Sequence, residues 1–227
     1  GVVQGDEACD GATHTLLESS CGTFGEHGAL GCDSYCQLDT GACEASSWTA
    51  VSLATTSGVT IGPSDAVVAM YAAGPRDVWA IVGPRTGTTR AVIHGDGASW
   101  AAVTPPVSQA SALHGASGKV WVGTATGAVI ERSDTGWITR GAPAAAPITQ
   151  LWGDSARLFA TVQSGGAAEV WRSTGATTWV RETLPVSLTA VTAVRGLAGG
   201  NLYVLGVGAG GPVLLERSGA GGWTSST

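Results

Sequence analysis

The stretch Leu113-His114-Gly115-Ala116-Ser117-Gly118-Lys119-Val120-Trp121-Val122-Gly123 decides the fold. A short apolar run ends in Gly, turn-forming residues follow, and a second apolar run carries an aromatic. That is the pattern of two strands joined by a tight turn. It recurs along the chain. Leu151-Trp152-Gly153 precedes Leu158-Phe159-Ala160-Thr161-Val162, and Val194-Arg195-Gly196 precedes Leu202-Tyr203-Val204-Leu205. Val78-Trp79-Ala80-Ile81-Val82 supplies the aromatic run of an earlier copy. The aromatics step by 121−79=42, 159−121=38 and 203−159=44 residues. A second marker keeps phase with the first: a Trp after a Gly- or Thr-rich turn, at Trp48, Trp100, Trp137, Trp179 and Trp223.

A repeat of roughly 40–45 residues with four strands per unit is the signature of a β-propeller. The sequence therefore predicts an all-β chain of four-stranded antiparallel blades behind a small N-terminal disulfide-rich module over 1–45. Units fall at about 65–104, 109–141, 148–183 and 189–226, with a lone outer strand over about 47–53. In each unit strand a is apolar and strand b carries the first aromatic. Strand c follows a Gly-rich loop, and strand d holds the conspicuous Trp. Strands a and b alternate poorly, as strands buried on both faces do. All nine Pro fall between the predicted strands, where no ladder donor is lost. A lone first d strand with four whole units leaves a ring unfinished, so further blades are expected beyond residue 227.

Composition narrows the function classes. Apolar residues make up 44% and charged residues 12% of 227 residues, so there is surface to bury and disorder is excluded. The net charge of −6 is uneven. Residues 1–45 hold eight acidic residues and no Lys or Arg, and the rest is near neutral. No basic stripe exists to displace counterions from phosphates, which argues against nucleic acid. No apolar run reaches the ~18 residues of a membrane helix.

All five Cys (Cys9, Cys21, Cys32, Cys36 and Cys43) lie in that acidic segment. Such clustering points to a unit stapled by disulfides and hence to a secreted or extracellular-surface location. The odd count leaves one thiol unpaired. Cys32 and Cys36 also have a spacing that zinc accepts, but no second close pair accompanies them. Asp6, Asp10, Asp33 and Asp39 carry the oxygens that calcium takes, yet their spacing matches no calcium loop. The alternative is a solvated acidic surface, with no cofactor at all.

Gly5-Asp6-Glu7-Ala8-Cys9-Asp10-Gly11, Cys21-Gly22, Gly31-Cys32, Tyr35-Cys36 and Gly41-Ala42-Cys43 together resemble the Cys-rich repeat of exported myxobacterial proteins. In that family a Cys-Gly-Asn-Gly tetrapeptide precedes the Val-Val stretch. The resemblance implies a sixth Cys just before Gly1-Val2-Val3, and an exported protein. The blades, with their Val-Trp-Ala strand and Gly-x-x-Trp hairpin, are distantly similar to BNR-repeat and photosystem assembly-factor propellers. That likeness implies protein or glycan interaction.

Catalytic constellations are absent. His14, His27, His94 and His114 form no triad with a Ser elbow. No paired carboxylates or arginine cluster of the glycosidase kind stand out. The turns Asp96-Gly97-Ala98-Ser99-Trp100 and Ser133-Asp134-Thr135-Gly136-Trp137 read as hairpins whose Trp packs between blades. Two functions remain. One is a non-catalytic exported module that holds a protein or glycan on one propeller face, with Arg85 and Arg90 of the Gly83–Arg90 loop as candidate contacts. The other is a polysaccharide hydrolase or lyase with its site in the central channel. The channel lining discriminates: converging carboxylates or His favour the enzyme, small and apolar residues such as Ala69, Ala112 and Thr149 the module.

Overall fold

The computed structural model describes residues 52–53, 56–85, 89–105, 109–133, 135–197 and 199–226, and six two-residue strands before residue 46. The chain is all-β, with no helix among the described residues, and divides into two compact units, Gly1–Ser52 and Leu53–Thr227.

The first unit holds three antiparallel ladders. β1 (Cys9–Asp10) pairs with β2 (Thr15–Leu16), β3 (Glu26–His27) with β6 (Glu44–Ala45), and β4 (Gly31–Cys32) with β5 (Leu38–Asp39). The side chains of the five Cys and of Asp6, Asp10, Asp33 and Asp39 lie outside the described residues, as do Trp48 and Asp134.

The second unit is four antiparallel meanders in succession. Sheet 1 is β7 (Asp65–Gly74), β8 (Asp77–Pro84), β9 (Ala91–Gly95) and β10 (Trp100–Val103). Sheet 2 is β11 (Ala110–Ala116), β12 (Lys119–Thr124), β13 (Val129–Ser133) and β14 (Gly136–Thr139). Sheet 3 is β15 (Ile148–Gly153), β16 (Leu158–Ser164), β17 (Ala167–Ser173) and β18 (Trp179–Arg181). Sheet 4 is β19 (Leu188–Gly196), β20 (Leu202–Gly208), β21 (Gly211–Arg217) and β22 (Trp223–Ser226), tied to sheet 3 by one pair, Ala168 with Leu188. Turn chemistry sets the hairpins. Ser117 and Gly118, both at positive φ (52° and 73°), join β11 to β12 in the two-residue geometry that matches strand twist.

Consecutive sheets pack face to face by one repeated rule. The second strand sends its aromatic forward: Trp79 into the core shared by sheets 1 and 2, Trp121 into that of sheets 2 and 3, Phe159 into that of sheets 3 and 4. The last strand sends its Trp backward into the same three cores: Trp137, Trp179 and Trp223. Glycine makes the approach possible. A Cβ on Gly196 would stand 2.5 Å from the Trp152 ring, and one on Gly115 would overlap Tyr71.

The two ends differ. The rear of sheet 1 (Ala80, Val82, Ile93 and Trp100) is covered by Leu53, Val59 and Ile61. The forward face of sheet 4 is bare: Leu205, Val207 and Leu214 are 43%, 38% and 42% exposed. β20 accordingly alternates buried and exposed, whereas Trp79–Gly83 of β8 and Val120–Thr124 of β12 are buried throughout. Poor alternation therefore holds only where a sheet is covered on both faces.

Of the lone outer strand expected over about 47–53, residues 47–51 are outside the described part, and Ser52 and Leu53 lie in no strand. The contact made with the edge of sheet 1 is a parallel bridge from Ser57 to Ala101. Pro84 and Pro212 sit inside strands, not between them. Pro84 is the last residue of β8. Pro212 follows the hairpin pair Gly208–Gly211, so its missing N–H points away from β20, and β22 pairs only with Leu214–Arg217.

Candidate functional site

Each inner strand, β7, β11, β15 and β19, pairs along one edge only, except where Leu188 meets Ala168. Their free edges together frame a space of about 450 Å³, lined by all four. Each strand carries a bulge at the same level, at Val68, Ser111, Thr149 and Thr192, where one extra residue re-aims the edge, and β7 and β19 carry a second one at Ala73 and Thr189. Hydroxyls at three of these bulges donate to carbonyls: Ser111 Oγ to Gly123 O (3.2 Å) and Ile148 O (2.7 Å), Thr149 Oγ1 to Thr161 O (3.4 Å), and Thr189 Oγ1 to Val207 O (3.0 Å).

One register further along, Tyr71, His114, Trp152 and Arg195 occupy equivalent positions. They stand opposite Trp79, Trp121, Phe159 and Tyr203 on the second strands. Ring centroids run Tyr71–His114 6.0 Å and His114–Trp152 6.2 Å, so a row of rings borders the space and ends on the exposed Arg195. His114 Nε2 lies 3.0 Å from Gly153 O. A carbonyl only accepts, so Nε2 carries the proton and Nδ1 remains an acceptor. Burial pushes the His114 pKa down, the Gly153 carbonyl opposes that, and Arg195 pushes it down again. The ring is neutral at pH 7. Tyr71 is raised by burial and then by Asp77, and stays a phenol. Among the described residues Arg195 is the one basic side chain besides His114 in this lining, and no carboxylate lines it.

The nearby carboxylates are spent on structure. Asp77 Oδ1 accepts from Trp79 Nε1 (2.7 Å) and lies 3.0 Å from His94 Nε2. Buried Glu131 accepts from Trp121 Nε1 (2.8 Å) and Arg140 Nε (2.7 Å). Glu182 accepts from Trp223 Nε1 (2.9 Å), Arg172 Nε (2.7 Å) and Arg217 Nε (3.1 Å), joining sheets 3 and 4. Burial alone would raise its pKa, and these donors outweigh burial and lower it. Asp154 and Arg157 clamp the β15–β16 turn to the turn after β19.

The residues expected from sequence are scattered. Ala69, Ala112 and Thr149 do line the space between the inner strands. Arg85 is exposed at the end of β8, beside residues 86–88 outside the described part. Arg90 is half-buried and donates from Nη1 to Ala110 O (3.5 Å), reaching the next sheet; its buried Nε has no partner among the described residues. His94 packs against Trp79 with ring centroids 4.5 Å apart and planes tilted by 34°. No group of three metal-ligating side chains occurs among the described residues, and no helix there is long and apolar enough to cross a membrane. Sequence reading missed Tyr71, Trp152 and Arg195 as one set. The signal was present: the residue before Gly in Leu113-His114-Gly115, Leu151-Trp152-Gly153 and Val194-Arg195-Gly196 borders the channel each time.

No protein-family model matches the sequence, and no curated protein is similar to it. Among solved structures, the chain is similar to the computationally designed Ika8 protein (17% identity, TM-score 0.45, covering 67% of this chain and 45% of that one). It is also similar to a catalytically inactive virginiamycin B lyase from Staphylococcus aureus crystallised with quinupristin (14% identity, TM-score 0.47, covering 71% and 55%). The chain thus spans about half the length of these structures.

Proposed function

We propose that this chain is a non-catalytic, exported or cell-surface interaction module, and that its four sheets are blades of a β-propeller that holds a protein or glycan on one face. One observation carries the reading: among the described residues, the space between the inner strands has no carboxylate in its lining. Glycoside hydrolysis needs a pair of carboxyl groups facing the ligand; His114, which does line the space, is the group an enzyme reading would have to use. Here Asp77, Glu131 and Glu182 are engaged by indoles, imidazole or guanidinium groups instead. Export rests on the cluster of five Cys in an acidic segment. Screening the protein on arrays of glycans and extracellular proteins, with product analysis on every glycan bound, tests the proposal. Binding without turnover is expected. Turnover of a bound glycan at a rate lost with a channel substitution refutes it.

A further inference from the structure

We infer that the space framed by the four inner strands binds an acidic sugar, a uronic acid residue at or near the end of a glycan. The inference rests on the binding-module reading above and names its ligand class.

Charge comes first. Among the described residues the lining has one full charge, the guanidinium of Arg195, and nothing of opposite sign to neutralise it. Arg195 is exposed and commits Nη1 to Val194 O (2.7 Å), while Nε and Nη2 of its planar fork have no hydrogen-bond partner among the described residues. That fork matches a carboxylate in bidentate fashion. The rest of the lining suits a hydroxyl-rich ring. Inner strands that pair on one edge leave backbone N–H and C=O groups along the other. The Tyr71 hydroxyl, the Gln150 amide and the His114 Nδ1 lone pair add side-chain donors and acceptors. The neutral imidazole puts no second cation beside Arg195. Tyr71 and Met70 give the ring an apolar wall, Met70 being 67% exposed. About 450 Å³ lies in the range of small-ligand sites and admits one or two sugar residues. A folded protein surface could not enter, which favours a glycan end over a protein partner.

The test is calorimetric titration of the full chain with short oligomers of galacturonic or glucuronic acid, with their carboxyl-reduced counterparts, and with the neutral parent sugars. The wild-type protein is expected to bind the acidic oligomers and to lose at least about tenfold on carboxyl reduction or in Arg195→Gln, as removal of a charge-assisted pair implies. Arg181→Gln removes an exposed arginine on β18 with no part in the site and is expected to bind as the wild type does. Equal affinity for acidic and reduced oligomers overturns the inference, because the ligand comparison needs no variant to fold. Acidic-oligomer binding unchanged in Arg195→Gln also overturns it. Failure to bind any acidic oligomer while another glycan or a protein binds overturns the inference and leaves the module reading standing. Turnover of a bound oligomer refutes the module reading as well.

Discussion

Replacing Asp154 by Asn isolates the clamp between sheets 3 and 4. Asp154 Oδ1 accepts the N–H groups of Ala156 (2.9 Å) and Arg157 (2.7 Å). Its Oδ2 accepts from Arg157 Nε (2.9 Å), Arg157 Nη2 (2.7 Å) and the Gly199 N–H (3.2 Å). Arg157 donates onward to Gly200 O (2.6 Å) and Leu197 O (2.8 Å) in the turn of the next sheet. Burial would raise the Asp154 pKa; the Arg157 side chain and the three N–H groups outweigh burial and bring it from 3.8 to about 2. The side chain is only 7% exposed, so solvent screens little of this. At 1.36 kcal/mol per pKa unit the carboxylate contributes about 2 kcal/mol at neutral pH. A depressed pKa gives stability that is complete above the unfolded-state value and lost as pH falls through the folded one, here between about pH 4 and pH 2. Asn keeps one acceptor and turns an NH₂ toward a guanidinium and an N–H, so Asp154→Asn should cost about 2–4 kcal/mol. Urea denaturation of both proteins at pH 6.5 and pH 3 measures it, since other titrating groups cancel in the difference. The gap should shrink by about 1 kcal/mol at pH 3, where roughly half the linkage remains. A gap below about 1 kcal/mol at pH 6.5, or one that does not change with pH, refutes the account.

Other outcomes follow from the same contacts. Gly196→Ala pushes a methyl into the Trp152 ring and should lower stability by about 1–3 kcal/mol, read by thermal denaturation. Val68 is the residue without a hydroxyl at the bulge level that the four inner strands share, and Val68→Thr should gain about 0.5–1 kcal/mol where Thr149→Val loses a similar amount; a loss in Val68→Thr counts against a role for the bulge hydroxyls. On β21, Leu215→Ala should cost about 2–5 kcal/mol and the neighbouring Leu214→Ala less than about 0.5, because Leu215 is fully buried and Leu214 is not. Glu182→Gln should narrow its stability gap to wild type as pH drops below about 4.5, since the depressed Glu182 pKa gives stability that acid removes.

That the chain after residue 53 would be all strand was legible, because a strand packed between two sheets must read as a continuous apolar run. Val78–Val82 and Leu158–Val162 do. The bulges were not legible, since one extra residue changes a strand's edge without changing its apolar content, and Ser111, Thr149 and Thr189 pass as ordinary strand residues. Pro84 and Pro212 misled for a related reason: Pro is excluded only where its nitrogen would have to donate, and neither position requires that. The channel row was half visible. The Gly of each triplet drew notice as punctuation, while the residue before it, His114, Trp152 or Arg195, differs in chemistry from copy to copy and so hides its shared position, and in the first copy Tyr71 is followed by Ala72 with no Gly to mark it.

The exposed forward face of sheet 4 has an implication for how units follow one another. Each of the three junctions uses the same exchange, an aromatic sent forward and a Trp sent back. The rear of sheet 1 is sealed by Leu53, Val59 and Ile61, while Leu205, Val207 and Leu214 stand exposed on sheet 4. Stacking of this kind has a direction, like nested cups: a unit of the same pattern fits against the forward face of the unit before it, and not against the rear of sheet 1 as it stands.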